Sequence, residues 1–408
     1  MSPASERLHG LDAVRGYALM LGVVFHATMS FLPGPQVWVL KDSESSMALS
    51  ALFFASHTFR MTTFFLIAGF FAHMSFGKKG ARAFIRDRAL RIALPLVIFW
   101  PLVIAGIIGG AVYAIYVATG QIPTSPPPTP AASGAAPALA FPLTHLWFLY
   151  ALLILYAATL AVRGVVAKLD AGGGFRARVD RVVAGLLGSP LAPLVLALPA
   201  AGLFYARPDW LVFFGVPTPD QSLIPNSAAA VQFGLAFGLG WLLHRQMGLL
   251  SEMQKRWPLN LAVALALTVA LLAQMGVAPV VTPDKPGLLK AFHALAYALA
   301  IWTWTFAVIG LALRFLSDHS PARRYIADSS YWIYIVHLPL VIFLQAWLSR
   351  LDWPALAKFG VVLAIGFALM FASYELLVRH TFLGRLLNGR RVPWRAPRPA
   401  ASRMETAR

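Results

Sequence analysis

Apolar residues run along this chain in long, nearly unbroken stretches separated by short polar connections, unlike the narrow amphipathic patterns of a soluble fold. Ten stretches, 11–32, 48–76, 92–118, 142–162, 190–206, 228–243, 258–276, 289–313, 327–349 and 355–378, are apolar enough to predict helices that cross a bilayer. Each crossing needs roughly 20 residues at about 1.5 Å rise, and the fifth and sixth stretches are the shortest. The pattern predicts an all-α polytopic membrane protein of about ten transmembrane helices. No internal repeat accompanies it, which argues against the repeat architecture of many carriers. Residues 1–378 read as one membrane domain and 379–408 as a basic cytoplasmic tail without a fold of its own.

Composition agrees: 59% of the 408 residues are hydrophobic, 12% are charged, and the mean hydropathy is +0.69. A net charge of +18 would point to nucleic acid in a soluble protein, but placement changes its meaning. Most of the 34 Lys and Arg fall before residue 11 and in 77–91, 163–189, 244–257, 314–326 and 379–408, which are alternate connections. The positive-inside rule then puts both termini in the cytoplasm and requires an even number of spans. Membrane lipid is the expected partner and nucleic acid is not. The absence of cysteine excludes disulfides and a thiolate nucleophile, and no metal site is expected.

The first span reads as an uncleaved signal anchor. Pro123, Pro126, Pro127, Pro128, Pro130 and Pro137 make 119–141 an extended, polyproline-like outer strap. The Arg- and Pro-rich stretch 390–398 predicts a tail held near anionic lipid. Gly106 with Gly110, and Gly234 with Gly238, have the spacing that lets helices approach closely.

Ionisable groups are costly inside a bilayer, so those that persist there mark candidate sites. On the first helix Asp12, Arg15, Gly22 and His26 share a face, with Arg15 toward the cytoplasm and His26 about 16 Å further out. Gly22 leaves room for a group to lie against the backbone. In the second span His57 and Arg60 lie one turn apart, at a depth comparable with His26. The alternative reading of such residues is interhelical hydrogen bonding alone. At the inner end of the second span, Arg88 and Arg91 are one turn apart in a geometry suited to phosphates, although basic residues there also set orientation, as Lys78 and Lys79 do. His145 begins the fourth span among interfacial aromatics. His337 precedes Pro339, which frees a backbone carbonyl one turn earlier for another group to use. Glu375 finds its simplest partner in Arg379 at i+4, and Asp12 finds one in Arg15 at i+3.

These residues resemble the integral-membrane acyltransferase-3 superfamily, and most closely its glucan-modifying succinyl transferase branch of Gram-negative bacteria. The resemblance is carried by Leu11-Asp12-Ala13-Val14-Arg15 with His26, by the run from His57 to Phe71, and by Arg88-Ala89-Leu90-Arg91-Ile92-Ala93-Leu94-Pro95. It continues through His145-Leu146-Trp147-Phe148-Leu149, Tyr334-Ile335-Val336-His337-Leu338-Pro339 and Tyr374-Glu375. The Pro-rich strap and Arg-rich tail depart from it.

The resemblance implies an enzyme of a bacterial inner membrane that moves an acyl group, succinyl or acetyl, from cytoplasmic acyl-coenzyme A to hydroxyls of a periplasmic glucan or related carbohydrate. Acyl-coenzyme A is then a co-substrate and no cofactor is held permanently. His26 would be the general base, since imidazole ionises near neutrality, and His57 or Arg60 would stabilise the oxyanion. Asp12, Arg15, Arg88, Arg91, His145 and His337 would bind substrate, with Lys78 and Lys79 near the coenzyme's phosphates. Direct attack and an acyl-histidine route both remain open at this level, as do another surface polysaccharide or lipid as acceptor and, from a different class, a solute or proton carrier.

Overall fold

The structure, a computed structural model, describes residues 3–123 and 140–393. Among these residues it is helical, and one antiparallel bridge joins Ala140 to Ser222. The amino-terminal half holds α1 (Pro3–Thr28), α2 (Met47–Arg88), α3 (Leu94–Thr119), α4 (Trp147–Leu169), α5 (Gly174–Gly188) and α6 (Ala192–Ala206). The second half holds α7 (Ser227–Arg245), α8 (Leu250–Met275), α9 (Leu288–Phe315), α10 (Pro321–Leu348), α11 (Ala355–Ser373) and the short α12 (Phe382–Asn388). Polar caps set several starts: Ser46 Oγ accepts from the Leu49 amide before α2, Asn226 from Ala229 before α7, and Ser320 from Arg323 before α10.

Each predicted stretch falls on a helix, but the count differs. Among the described residues eight helical runs are long and apolar enough to cross a membrane, and the pair α5 and α6, bent by 104°, makes a ninth. The difference has two causes. Stretches 48–76 and 92–118 belong to one 73-residue run, interrupted at Gly80 (φ 73) and passing through a π-helical turn at Ala89–Ala93. Stretch 190–206 corresponds to the 15-residue α6, only about 22 Å long. The basic connection 163–189 contains α5, a helix of its own.

In the bundle, α1 packs against α2, α9, α10 and α11. The outer helices present Val97, Leu102, Val162, Val165, Val269 and Leu369 outward, as a lipid-facing surface requires. Gly106 and Gly110 bring α3 onto α10, where a Cβ would lie 2.9 Å from Pro339 and 2.8 Å from Ile342. Gly234 and Gly238 do not mark such a crossing: nothing lies within 4 Å of a Cβ at Gly238. The tight α2–α7 crossing instead uses Gly69 and Gly240, each against a backbone carbonyl, of Phe237 and Leu66.

The expected tail begins with ordered structure. Thr381 caps α12, Asn388 donates to the Asp328 carbonyl at 2.9 Å, and Arg390 pairs with Asp328. Most of the proline-rich strap, 124–139, and the rest of the tail, 394–408, lie outside the described residues.

Candidate active site

Four histidines and one arginine from four parts of the chain meet inside the bundle. The His26 ring lies 5.2 Å from that of His337, and His337 lies 4.9 Å from His145. Phe25 stands between the other members: it meets His26 edge-on at 4.9 Å, stacks on His57 at 5.0 Å, and carries the Arg60 guanidinium over its ring at 4.3 Å. His26 is within electrostatic reach of His337, Arg60, His145 and His57. Gly22 provides the space expected of it, and the occupant is Arg60, whose Nη1 would be 2.9 Å from a Cβ there.

Backbone carbonyls fix the orientation of three of these rings. A carbonyl oxygen can only accept, so each ring nitrogen facing one must carry the proton. His57 Nε2 donates to Phe214 (2.7 Å), His145 Nε2 to Ile335 (3.2 Å) and His337 Nδ1 to Tyr334 (2.7 Å). Ile335 carries the carbonyl released by Pro339, and His145 is the group that uses it. The opposite nitrogens, His57 Nδ1, His145 Nδ1 and His337 Nε2, are buried without a hydrogen-bond partner among the described residues, as are His26 Nδ1 and Arg60 Nε. Unpartnered polar atoms are costly in such surroundings, and five in one cluster mark a place built to receive polar groups.

The loops supply strain and cover. Thr144, next to His145, has φ 48, a left-handed conformation unusual for a β-branched residue, and its amide donates to Asp220 at 3.0 Å. Over His26 lies Trp38, stacked at 5.5 Å, whose indole N–H donates to Gln345 Oε1 at 3.0 Å. Gln345 Nε2 in turn donates to the carbonyls of His26 and Ala27, both at 3.1 Å. This loop is pinned by an ion pair between Asp42 and Lys358 at 2.7 Å, with both side chains enclosed (1% and 0% exposed). Nothing local in the sequence singles out Trp38, Gln345 or Lys358, because contacts over some 300 residues leave no local pattern.

The remaining predicted residues gather at the other end of α1, about 21 Å from His26 to Asp12 by helical rise. Asp12 pairs Arg15 at 3.2 Å, as its spacing implied, and also meets Arg324 at 3.7 Å. Arg88 and Arg91 both pair with Asp87, at 2.9 and 3.2 Å, and Lys79 joins the same carboxylate at 2.7 Å. Asp87 is the member of this group that the sequence expectations omit, although it stands next to Arg88 and one turn before Arg91. Glu375 takes Arg379 (2.8 Å), His380 (3.1 Å) and Tyr325 (3.1 Å), a structural cluster. Between the two ends runs a column of phenols. Tyr156 is within electrostatic reach of Arg15 and Arg88, Tyr331 of Tyr156 and Arg88, and Tyr334 of Tyr331 and Arg60.

An acid–base centre enclosed in a multi-pass helical bundle, joined by polar side chains to a basic mouth, defines a membrane-embedded enzyme rather than a structural bundle. The chain belongs to the acyltransferase domain family, whose model matches residues 8–375. It is 24% identical over 397 residues to glucans biosynthesis protein C of Salmonella typhimurium, spanning 95% of this chain and 96% of that protein. It is 23% identical over 407 residues to the protein of the same name from Escherichia coli, spanning 96% and 97%. No solved structure matches. The protein is therefore a multi-pass membrane acyltransferase acting on groups other than aminoacyl groups.

Proposed function

We propose that this acyltransferase moves an acyl group, succinyl in preference to acetyl, from cytoplasmic acyl-coenzyme A to a hydroxyl of a periplasmic glucan. One observation carries the reading: His26 sits with an unpartnered ring nitrogen among three further imidazoles and Arg60. The glucan is taken from the names of the relatives. In this scheme ten crossings of the inner membrane leave both termini in the cytoplasm, and the 73-residue run contributes two of them.

Transfer begins when neutral His26 takes the proton of the acceptor hydroxyl as its oxygen attacks the thioester carbonyl. The carbonyl π pair moves to oxygen, and Arg60 stabilises that oxyanion where water is excluded, worth several kcal/mol. Collapse re-forms the carbonyl and breaks the carbon–sulfur bond. The coenzyme thiolate leaves with the proton held by His26, and an ester remains on the sugar. Arg15 and Arg60 favour a dicarboxylic acyl group, because both are cations on its route. The phenol column of Tyr156, Tyr331 and Tyr334 supports a donor path from the basic mouth to His26.

The test is mass spectrometry of periplasmic glucans from cells lacking the gene, complemented with wild type or His26→Ala at matched protein levels. Wild type restores a succinyl increment, and His26→Ala lowers it by about 10²-fold or more. Restoration by both removes the mechanism. Failure of both redirects the search for the acceptor to lipids and surface polysaccharides. Initial-rate patterns with purified protein separate the two routes: intersecting lines are expected for direct attack, and parallel lines would establish the acyl-histidine route.

A further inference from the structure

At the cytoplasmic mouth, the described residues contain a cleft of about 230 Å³ between the start of α10, the π-helical turn Tyr374–Arg379 and the segment after α12. Its charged walls are Arg324, Arg379, Arg390, His319 and Asp328, with the rings of Tyr325 and Tyr374 between them. Three guanidiniums thus face one lining carboxylate. Arg324 meets Asp328 through Nε at 3.3 Å, Arg390 meets it through Nη2, and Arg379 uses Nη1 on Glu375 at 2.8 Å. Each guanidinium carries five N–H donors, so these pairings hold the cations in place while leaving donors for a ligand richer in negative charge. The amino-terminal end of the 28-residue α10, beginning at Pro321, adds its partial positive charge.

The cleft is continuous with the site already described. Arg324 reaches Asp12 at the foot of the α1 stripe that leads to His26. On the other side, Gly389 lies flush against the Arg91 guanidinium and would admit no side chain. The segment 388–392 therefore stands between the Arg88 and Arg91 patch and the cleft. That patch is largely engaged by Asp87, whereas the cleft combines uncommitted donors, two aromatic rings and enclosed volume.

We infer that this cleft binds the phosphorylated nucleotide end of the acyl donor, with Arg324, Arg379 and Arg390 on its phosphates and Tyr325 and Tyr374 beside the base. This rests on the donor being acyl-coenzyme A. A phosphate-bearing lipid headgroup shares the chemistry, and the test separates the two.

Purified full-length protein is titrated with coenzyme A, then photolabelled with its 8-azidoadenine analogue, and the labelled peptide is mapped. Labelling within 319–328 or 374–392, competed by coenzyme A, together with about tenfold weaker binding by the Arg390→Gln variant, supports the inference. Mapping uses wild type, so misfolding of the variant cannot decide the result. Labelling of 78–91 with unchanged binding by Arg390→Gln overturns the site and leaves the donor intact. Displacement of the label by phosphatidylglycerol vesicles, but not by coenzyme A, overturns it in favour of lipid. No saturable binding of coenzyme A to wild type removes the donor reading and this inference with it.

Discussion

The two ends of α1 treat charge in opposite ways. At the cytoplasmic end cations meet carboxylates: Arg15 with Asp12, Arg88 and Arg91 with Asp87, Arg379 with Glu375. Around His26, Arg60 has no carboxylate within ion-pair distance among the described residues and leans on the face of Phe25 instead. Its imidazole neighbours keep buried lone pairs without partners. The first arrangement resembles ordinary structure, in which pairing offsets the cost of removing charge from water. The second leaves that cost standing, which a bilayer protein tolerates where a reaction compensates for it.

The contrast can be broken most decisively at Arg60. Replacing it with Leu is expected to lower transfer by about 10²- to 10³-fold without lowering the melting temperature, since no ion pair is lost. A collapse in stability, read by thermal unfolding in detergent, would show Arg60 to be structural. Next in size is the enclosed pair that pins the Trp38 loop. Asp42→Asn leaves Lys358 buried and unpaired and should cost about 3–5 kcal/mol of stability, whereas Asp42→Leu with Lys358→Met should recover most of it. Equal losses in both variants would mean that packing of the loop, not charge, is what the pair provides.

Trp38→Ala sharpens the picture on the acceptor side. Loss of a ring that stacks for about 0.5–1.5 kcal/mol should raise KM for the acceptor roughly three- to tenfold and leave KM for the donor alone. A change confined to the donor would place the loop on the wrong substrate. The smallest effect is expected at the paired end. Asp87→Asn should change stability by no more than about 1 kcal/mol and transfer by only a few-fold, because its partners are part-exposed. Abolished transfer with intact protein would erase the distinction between the two ends.

Much of the fold and of the site is legible in the amino-acid sequence itself. Helix existence follows from apolar length, and the grouping of Arg15, Gly22 and His26 follows from helical periodicity. Even the free carbonyl of Ile335 is legible, because Pro339 announces a missing donor at a fixed distance. Two things are not. The break at Gly80 and the turn between α5 and α6 depend on backbone choices that hydropathy does not encode. The cap over His26 depends on pairs such as Trp38 with Gln345 and Asp42 with Lys358, which join a loop to helices at the opposite end of the chain. Gly234 and Gly238 show the reverse failure, a packing pattern without a partner to pack against.

The carbonyls of Phe214, Ile335 and Tyr334 decide more than ring orientation. By consuming the N–H of three imidazoles, they leave a lining that accepts protons but has few to offer. A polyol brings its own donors and is welcomed by such a surface, whereas a bare anion finds only Arg60 to greet it. The chamber is thus complementary to sugar hydroxyls before any of them reacts.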